Sequence, residues 1–288
     1  MERILILGCG YVGERLATRC LDEGIRVIGT TRNKVRAAEL NRRGIETFVA
    51  DSPAELPDTL LASVDAVLDS IPLARDESGM RANQVEWLPK LAGTLSHIRW
   101  AGYLSTTGVY GDVGGAWVGE SFPCKPTSPR GTERLRAESA WLASGLPAEV
   151  FRIAGIYGPE RNIIERLNTG SYKAVQWNPA HYSSRIHIDD IVSAVMAAMR
   201  RSRHGRIVNL ADDMPLPHAD YVCEVARMIG AQTPEILSET EAETNLSSAM
   251  LDFFRDNKRI SNYLLHRELL PELKYPDFKS GMLSLINP

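Results

Sequence analysis

Three glycines near the start of the chain, Gly8, Gly10 and Gly13, have the spacing of a loop that binds a diphosphate. The first permits the tight turn that leaves a strand, the second leaves room for the diphosphate, and the third lets a helix pack closely on the sheet. The N-terminus of that helix directs N–H groups and a positive dipole end at the phosphates. The spacing therefore predicts a dinucleotide site, which Tyr11 and Val12 also line.

The segments on either side of these glycines have the pattern that such a loop requires. Residues 4–7 form a short apolar run of strand length, and residues 12–21 carry apolar side chains at helical spacing. Gly24 ends this helix, and residues 26–29 resume a strand. A GxGxxG motif alone is a weak signal, but the complete strand–loop–helix–strand order favours a dinucleotide site.

The end of the second strand indicates which dinucleotide binds. NAD sites usually have an acidic residue there, whereas NADP sites have an arginine that binds the 2′-phosphate. This chain has Thr31 and Arg32 at that point and no Asp or Glu. We therefore expect NADP, with NAD as the second choice. Alternatively, Arg32, Lys34 and Arg36 form the solvated face of the next helix.

Strand and helix patterns alternate over the first two thirds of the chain, which predicts an α/β fold with a doubly wound parallel sheet, the Rossmann fold. The predicted strands are residues 4–7, 26–29, 46–50, 64–70, 100–105, 148–153 and 207–211. We expect a mainly dinucleotide-binding domain over residues 1–158. Residues 159–288 are expected to form a small C-terminal substrate-binding lobe with returns to the core, including a helix capped by Asn257.

Polar residues follow the third and fourth predicted strands, where ligands bind in such sheets. Asp51 follows the third strand and can accept a hydrogen bond from the adenine amino group; alternatively, it caps the following turn. Ser70, Ile71 and Pro72 follow the fourth strand. We expect these three residues to line the adenosine ribose.

A hydroxyl cluster follows the fifth predicted strand at Ser105, Thr106 and Thr107. At that edge of the sheet these side chains would reach the nicotinamide. Such a cluster is often only a turn or a helix cap, so the inference depends on its position in the fold.

Residues 155–190 lack a regular pattern and carry aromatic and arginine side chains, including Tyr157, Arg161 and Arg185. Arginines and aromatic rings on loops suit a ligand that has a ring and negative charge. Alternatively, the same side chains pack a small lobe. His187 lies in a strand-like stretch and is interpreted as a structural histidine.

The composition argues against several classes of protein. A net charge of −3 gives no long-range field that would recruit nucleic acid or an anionic membrane. No apolar run approaches the ~20 residues of a membrane span, and the first strand follows Met1 directly, so we expect no signal peptide and a cytoplasmic protein. The four cysteines are widely spaced, which argues against a metal site or disulfides. Cys9, inside the glycine loop, is interpreted as a space-filling residue.

Four stretches together resemble one known family: the glycine loop and residues 105–111, 152–159 and 185–190. In this order they resemble the extended short-chain dehydrogenase/reductases of the NAD-dependent epimerase/dehydratase superfamily, which act on nucleotide sugars and related substrates. The resemblance covers most of the chain. It implies a Rossmann fold, a nicotinamide cofactor and a small-molecule substrate and, by analogy, a homodimer.

The chain departs from this family in its catalytic residues. By the resemblance, Thr106 matches the Ser/Thr that hydrogen-bonds the reacting oxygen, and a Tyr-x-x-x-Lys pair should follow on the next helix. Arg130 stands at the Tyr position and Arg134 at the Lys position, while Thr107 and Gly108 replace a dehydratase's acidic pair. A guanidinium stays protonated above pH 12, so Arg130 can bind an anion but cannot remove a proton. These features resemble an atypical, YeeZ-like bacterial branch.

Two functions agree with these observations. The first is an NADP-dependent oxidoreductase or epimerase acting on a sugar-like or nucleotide-linked substrate, in which Thr106 orients a carbonyl. Its proton would come from Tyr157, Tyr110, His187 or water; we prefer Tyr157, although packing is the alternative role. The second is a non-catalytic NADP(H) binder that senses redox state or supports a partner protein. The fold alone does not distinguish them.

Overall fold

The computed structural model describes residues 1–77, 79–246, 251, 254 and 256–287, and it divides the chain into two compact units. Each unit is assembled from three separate segments of the chain. The first unit consists of Met1–Thr106, Pro129–Arg152 and Ile191–Val208, and the second consists of Thr107–Ser128, Ile153–Asp190 and the chain from Asn209 onward.

The first unit is built on a parallel sheet that has seven strands within the described residues. The strands are β1 Arg3–Leu7, β2 Arg26–Thr31, β3 Glu46–Val49, β4 Ala66–Asp69, β5 Trp100–Thr106, β6 Ala148–Ile153 and β7 Ile207–Leu210. Their order across the sheet is β7-β6-β5-β4-β1-β2-β3. The register places Leu5 of β1 between Ile28 of β2 and Val67 of β4.

This strand order confirms the Rossmann fold that was expected from the sequence. The chain runs outward from β1 to β3 and then returns to the other side of β1 as β4. At such a reversal, the loops after the two central strands diverge and leave a crevice beyond their carboxyl ends. In this chain those loops are the glycine loop after β1 and residues 70–72 after β4.

Helices connect the strands in the order that the alternating pattern predicts. Their bounds are α1 Tyr11–Asp22, α2 Lys34–Arg42, α3 Asp58–Leu61, α4 Gln84–Ala92, α5 Pro129–Leu142, α6 Ile164–Asn168, α7 Ile188–Arg200, α8 His218–Met228, α9 Glu239–Asn245, α10 Tyr263–Glu268 and α11 Phe278–Ile286. In the part of the chain that the structure describes, none of these helices is long and apolar enough to cross a membrane.

The core of the first unit lies where α4 and α5 pack on the sheet. Trp87 of α4 and Trp141 of α5 meet edge to face, with ring centroids 6.0 Å apart. Both rings are buried together with Tyr103 of β5. Because burial of large aromatic side chains contributes strongly to stability, this contact holds α5 against α4.

The second unit has its own apolar core. Tyr157, Tyr221 and Phe278 pack together, and a methyl group added to Gly281 of α11 would lie 2.1 Å from the Tyr157 hydroxyl. The close approach of α11 to Tyr157 therefore requires glycine at position 281.

The helix expected to start at Asn257 does not form. Instead, a short strand, Arg259–Ile260, pairs with Trp117–Val118, and α10 begins only at Tyr263. The Asn257 side chain accepts from the Tyr182 amide at 2.9 Å, so a long-range contact takes the place of the expected cap.

Candidate functional site

The glycine loop adopts a conformation that only glycine accommodates at its first position. Gly8 has a φ of +75°, and its N–H group donates to Thr30 Oγ1 at 2.9 Å. A Cβ atom at Gly8 would lie 3.0 Å from the Ile71 Cα atom. The turn after β1 therefore packs directly against the backbone and side chain of Ile71 in the turn after β4.

The other two glycines have different roles: Gly13 allows close packing, and Gly10 leaves space for a ligand. A Cβ atom on Gly13 would lie 2.9 Å from Ile6 Cγ2, so this glycine allows α1 to approach β1. A Cβ atom on Gly10 would meet only Gly8 O, at 3.9 Å. Gly10 is the N-cap of α1 and provides no side-chain hydrogen bond, which leaves that role to a ligand. The loop therefore fits a diphosphate.

The other loop residues contribute in different ways. The Val12 side chain is buried, so Val12 can contact a ligand only through its backbone. The Tyr11 ring lies 4.9 Å from the Arg15 guanidinium carbon. Cys9 packs against Gly29, and burial raises the pKa of its thiol to about 11, although Arg36 and Arg43 lower it. This neutral, buried thiol agrees with a space-filling role.

Near the start of α1, two arginines pair with the carboxylate of Glu14. Glu14 lies in the first turn of α1, where its carboxylate would oppose a bound phosphate. Arg36 and Arg43 both form ion pairs with this carboxylate. The alternative interpretation of the sequence placed Arg36 on a solvated face of α2. Its ion pair with Glu14 contradicts that interpretation.

Arg32 differs from these two arginines. It is exposed directly after β2, and within the described residues it forms no ion pair. The next residue, Asn33, caps α2 by accepting from the amides of Val35 and Arg36, and Asn33 N–H donates to Thr31 Oγ1. The end of β2 thus presents one guanidinium whose charge is not neutralised by a carboxylate of the described chain.

The wall opposite the glycine loop is formed by the turn after β4. Ser70 N–H donates to Leu7 O at 2.9 Å, and Ile71 N–H donates to Asp69 Oδ1 at 2.9 Å. Pro72 follows and is exposed. Asp51, after β3, is also exposed; the neighbouring turn is capped by Ser52, whose hydroxyl accepts from an amide at 3.3 Å, and not by Asp51.

Asp69 is a residue of this wall that the sequence analysis did not identify. Its carboxylate is fully buried and accepts from Trp141 Nε1 at 2.9 Å and Gln84 Nε2 at 3.1 Å, besides Ile71 N–H. Burial raises the pKa of Asp69, and the three donors act in the opposite direction. An acidic residue at the last position of an otherwise apolar strand was the available signal.

The side chain of Ser105 is buried and its hydroxyl forms a hydrogen bond in the core of the first unit. It donates to Glu138, a buried carboxylate on α5 that also binds Arg152 Nη2 at 2.8 Å. This hydrogen bond uses the donor of the hydroxyl, and the expected contact of Ser105 with the nicotinamide stays a prediction. Thr106, the last residue of β5, is partly exposed, and Thr107 begins a short 3-10 turn of the second unit.

The two arginines that were expected at the family's Tyr and Lys positions lie in different environments. Arg130 is exposed in the first turn of α5. Arg134, one turn further, donates through Nη1 to Tyr103 OH at 2.9 Å. Burial raises the pKa of Tyr103 more than Arg134 lowers it, so this phenol stays protonated.

Tyr157 lies in the core of the second unit and is 4% exposed. Its ring packs on His187, with centroids 5.2 Å apart, and its hydroxyl contacts Asp277 O at 3.4 Å. Burial raises the pKa of Tyr157 above its ordinary value. These observations favour a packing role, and its acid/base role stays a prediction.

The predicted substrate arginines of the second unit also differ. Arg161 is exposed in a turn that pairs with Gly158. Arg185 is 5% exposed, its guanidinium carbon lies 3.8 Å from the centroid of the Tyr221 ring, and Nη2 donates to Ser183 Oγ at 2.7 Å. The nearby Asp212 is 1% exposed, and burial raises its pKa to about 8, although Arg185 lowers it.

Comparison with known proteins agrees with this geometry. The model of the NAD dependent epimerase/dehydratase family matches residues 4–211. Protein YeeZ of Escherichia coli K12 is 27% identical over 292 residues, a match that covers 96% of this chain and 97% of YeeZ.

Two solved structures extend the comparison. A functionally unknown conserved protein from Silicibacter pomeroyi DSS has a TM-score of 0.89 and 34% identity, over 99% of this chain and 98% of that one. The dTDP-glucose 4,6-dehydratase of Bacillus anthracis, in complex with NAD, has a TM-score of 0.76 and 19% identity, over 99% and 96% of the two chains. This second likeness concerns the fold.

Substitution of Gly10 by alanine tests the diphosphate loop. We expect Gly10→Ala to weaken NADPH binding at least about tenfold, because the methyl group occupies phosphate space. The free energy of unfolding should change by less than about 1 kcal/mol, since φ is −96° and no atom other than Gly8 O lies within 4 Å. Calorimetric titration and urea unfolding measure the two quantities.

Gly93→Ala is the matched control, because Gly93 has a φ of −61° and an added methyl group there would meet no atom within 4 Å. It should leave NADPH affinity unchanged and raise the free energy of unfolding by no more than about 1 kcal/mol. Unchanged NADPH affinity in Gly10→Ala would contradict the assignment of the loop.

The buried carboxyl of Asp212 predicts a pH dependence of stability. Its pKa is raised from 3.8 to about 8, so between these values the folded protein retains a proton that the unfolded chain has lost. The free energy of unfolding should therefore fall by roughly 2–3 kcal/mol more between pH 5 and pH 7 in the wild type than in Asp212→Asn. Urea titrations of both proteins at the two pH values measure this difference; parallel profiles would contradict it.

Proposed function

This chain belongs to the NAD dependent epimerase/dehydratase family, and from this membership we propose that it is an NADP-dependent oxidoreductase or epimerase that acts on a sugar-like or nucleotide-linked substrate. The observation that carries the proposal is the glycine loop, which is closed by Ile71 and open at Gly10. Its shape fits the diphosphate of a nicotinamide dinucleotide.

The choice of NADP is supported by the charges at the end of β2. Glu14 pairs with Arg36 and Arg43, whereas Arg32 keeps its charge exposed where a 2′-phosphate would lie. A guanidinium matches the geometry of a phosphate and can form two parallel hydrogen bonds with it. Lys34, two residues further, is also exposed.

The proposed chemistry assigns separate roles to the cofactor and the chain. A bound nicotinamide dinucleotide supplies or accepts hydride. Thr106 holds the reacting oxygen by a hydrogen bond, and Arg130 binds an anionic group of the substrate. Thr107 and Arg161 remain proposed substrate contacts. Because Arg185 is buried, it would act on the substrate through the residues that cover it and not by direct contact.

One observation favours a second function, a non-catalytic NADP(H) binder that acts as a redox sensor or supports a partner protein. By the resemblance to the family, Arg130 and Arg134 stand at the positions of its proton-transfer pair, and neither guanidinium can exchange a proton near neutral pH. The buried Tyr157 is a poor replacement for the missing phenol. A small-molecule substrate and a homodimer remain expectations of the first function.

Turnover distinguishes the two functions. Purified protein is mixed with NADPH or NADP and tested with a panel of nucleotide sugars, sugars and small carbonyl compounds, while absorbance at 340 nm and product composition are followed. We expect oxidation, reduction or epimerisation of a member of the panel. NADPH binding without turnover across the panel would favour the sensor and contradict the enzymatic proposal.

The cofactor assignment predicts a selective loss in Arg32→Ala. The variant should bind NADPH about 10- to 100-fold more weakly, because a charged hydrogen bond to the 2′-phosphate is lost, while NADH affinity stays within about twofold. Fluorescence titration of both reduced dinucleotides measures this.

Arg42→Ala is the control, since Arg42 is an exposed arginine in the last turn of α2. It removes the same charge and should leave both affinities unchanged. Equal losses for NADPH and NADH in Arg32→Ala would remove the NADP assignment.

A further inference from the structure

We propose that Arg134 is a positioning residue of the dinucleotide site, which holds the backbone of Ile71 against the glycine loop. The inference rests on the proposed function, since it concerns the same site. It gives the cation at the family's lysine position a role in binding that does not depend on proton transfer.

The Ile71 peptide groups are held from both sides. Ile71 N–H donates to Asp69 Oδ1 at 2.9 Å, and Ile71 O accepts from Arg134 Nη1 at 3.4 Å. Asp69 is fully buried and Arg134 is partly buried, so both contacts lie in an environment where hydrogen bonds are stronger than in water. The position of Ile71 is therefore held by hydrogen bonds to two side chains, those of Asp69 and Arg134.

Ile71 in turn shapes the diphosphate loop. Its Cα and Cγ1 atoms would both lie 3.0 Å from a Cβ atom at Gly8, which shows how closely the two turns approach. These turns form the two sides of the crevice at the strand reversal between β1 and β4. A shift of Ile71 would change the width of the crevice where the nucleotide enters.

Helix α5 reaches this wall by two routes. Arg134 contacts Ile71 directly, and Trp141 donates to Asp69 Oδ2 at 2.9 Å. The two residues are seven positions apart, so they share one face of the helix. Gln84 of α4 adds a third donor to Asp69 at 3.1 Å.

Arg134 is suited to this task by its shape. The same Nη1 also reaches Tyr103 OH at 2.9 Å and Leu104 O at 3.3 Å, so one planar group joins the ends of β4 and β5. Its two hydrogen atoms serve three acceptors, of which two share one hydrogen. The planar guanidinium holds this nitrogen in a fixed orientation toward all three acceptors.

An alternative role for Arg134 is direct contact with the nicotinamide half of the cofactor. The two roles differ in their effect on ADP, which carries adenosine and a diphosphate but lacks the nicotinamide ribose. A residue that positions the wall affects ADP and NADPH alike. A residue that binds the nicotinamide half affects NADPH alone.

The test measures ADP and NADPH affinities of the full-length protein by calorimetric titration. In Arg134→Gln we expect both affinities to fall by roughly tenfold, because one charged contact to the wall is lost. Arg136→Gln is the matched control: Arg136 is exposed on the same helix, and its loss should change neither affinity. If Arg134→Gln does not fold, Arg134→Lys replaces it, with a smaller but equal loss for both ligands.

A double-variant cycle tests whether both contacts act on the same residue. Asp69→Asn and Arg134→Gln should be coupled, so the double variant loses less ADP affinity than the product of the two single losses. A loss of NADPH affinity with unchanged ADP affinity in Arg134→Gln would overturn this inference alone. If the wild type bound neither ligand, the proposed function would fail as well.

Discussion

The close approach of two backbone turns is the constraint on which the candidate site depends. Gly8 at the end of β1 and Ile71 after β4 are so near that a single added methyl group would lie 3.0 Å from the Ile71 Cα atom. This approach defines the crevice at the strand reversal, which is where α/β sheets bind ligands. The open space at Gly10 lies in the same loop, and the uncapped start of α1 faces it. The open space at Gly10 and the dipole of α1 therefore both favour a diphosphate.

The first unit places several arginines near the ends of its strands and the starts of its helices. Glu14, placed where it would oppose a phosphate, is paired with Arg36 and Arg43. Arg32 is exposed at the end of β2, and Arg130 is exposed at the start of α5. Because guanidinium groups hold their charge at all physiological pH values, this arrangement suits binding of anions better than transfer of protons.

Polar contacts in the core attach α5 to the sheet. Glu138 accepts from Ser105 and Arg152, and Trp141 donates to Asp69, so this helix carries buried groups that must all be satisfied together. Such a network favours one position of α5 on the sheet, because loss of one partner would leave another polar group buried and unpaired. In this way α5 supports the carboxyl ends of β4 and β5.

The sequence alone determined the order of elements and the diphosphate loop, because these depend on local spacing: apolar runs of strand length, helical periodicity, and glycines at fixed separations. The sequence also led to the expectation that Arg130 and Arg134 stand at the positions of the family's catalytic pair. Only the tertiary structure decided which group each of these side chains contacts. Ser105 turns to Glu138, Asn257 bonds to Tyr182 and does not cap a helix, and Arg134 reaches Ile71. These partners lie 33, 75 and 63 residues apart, and no local pattern encodes contacts between segments that only the folded sheet brings together.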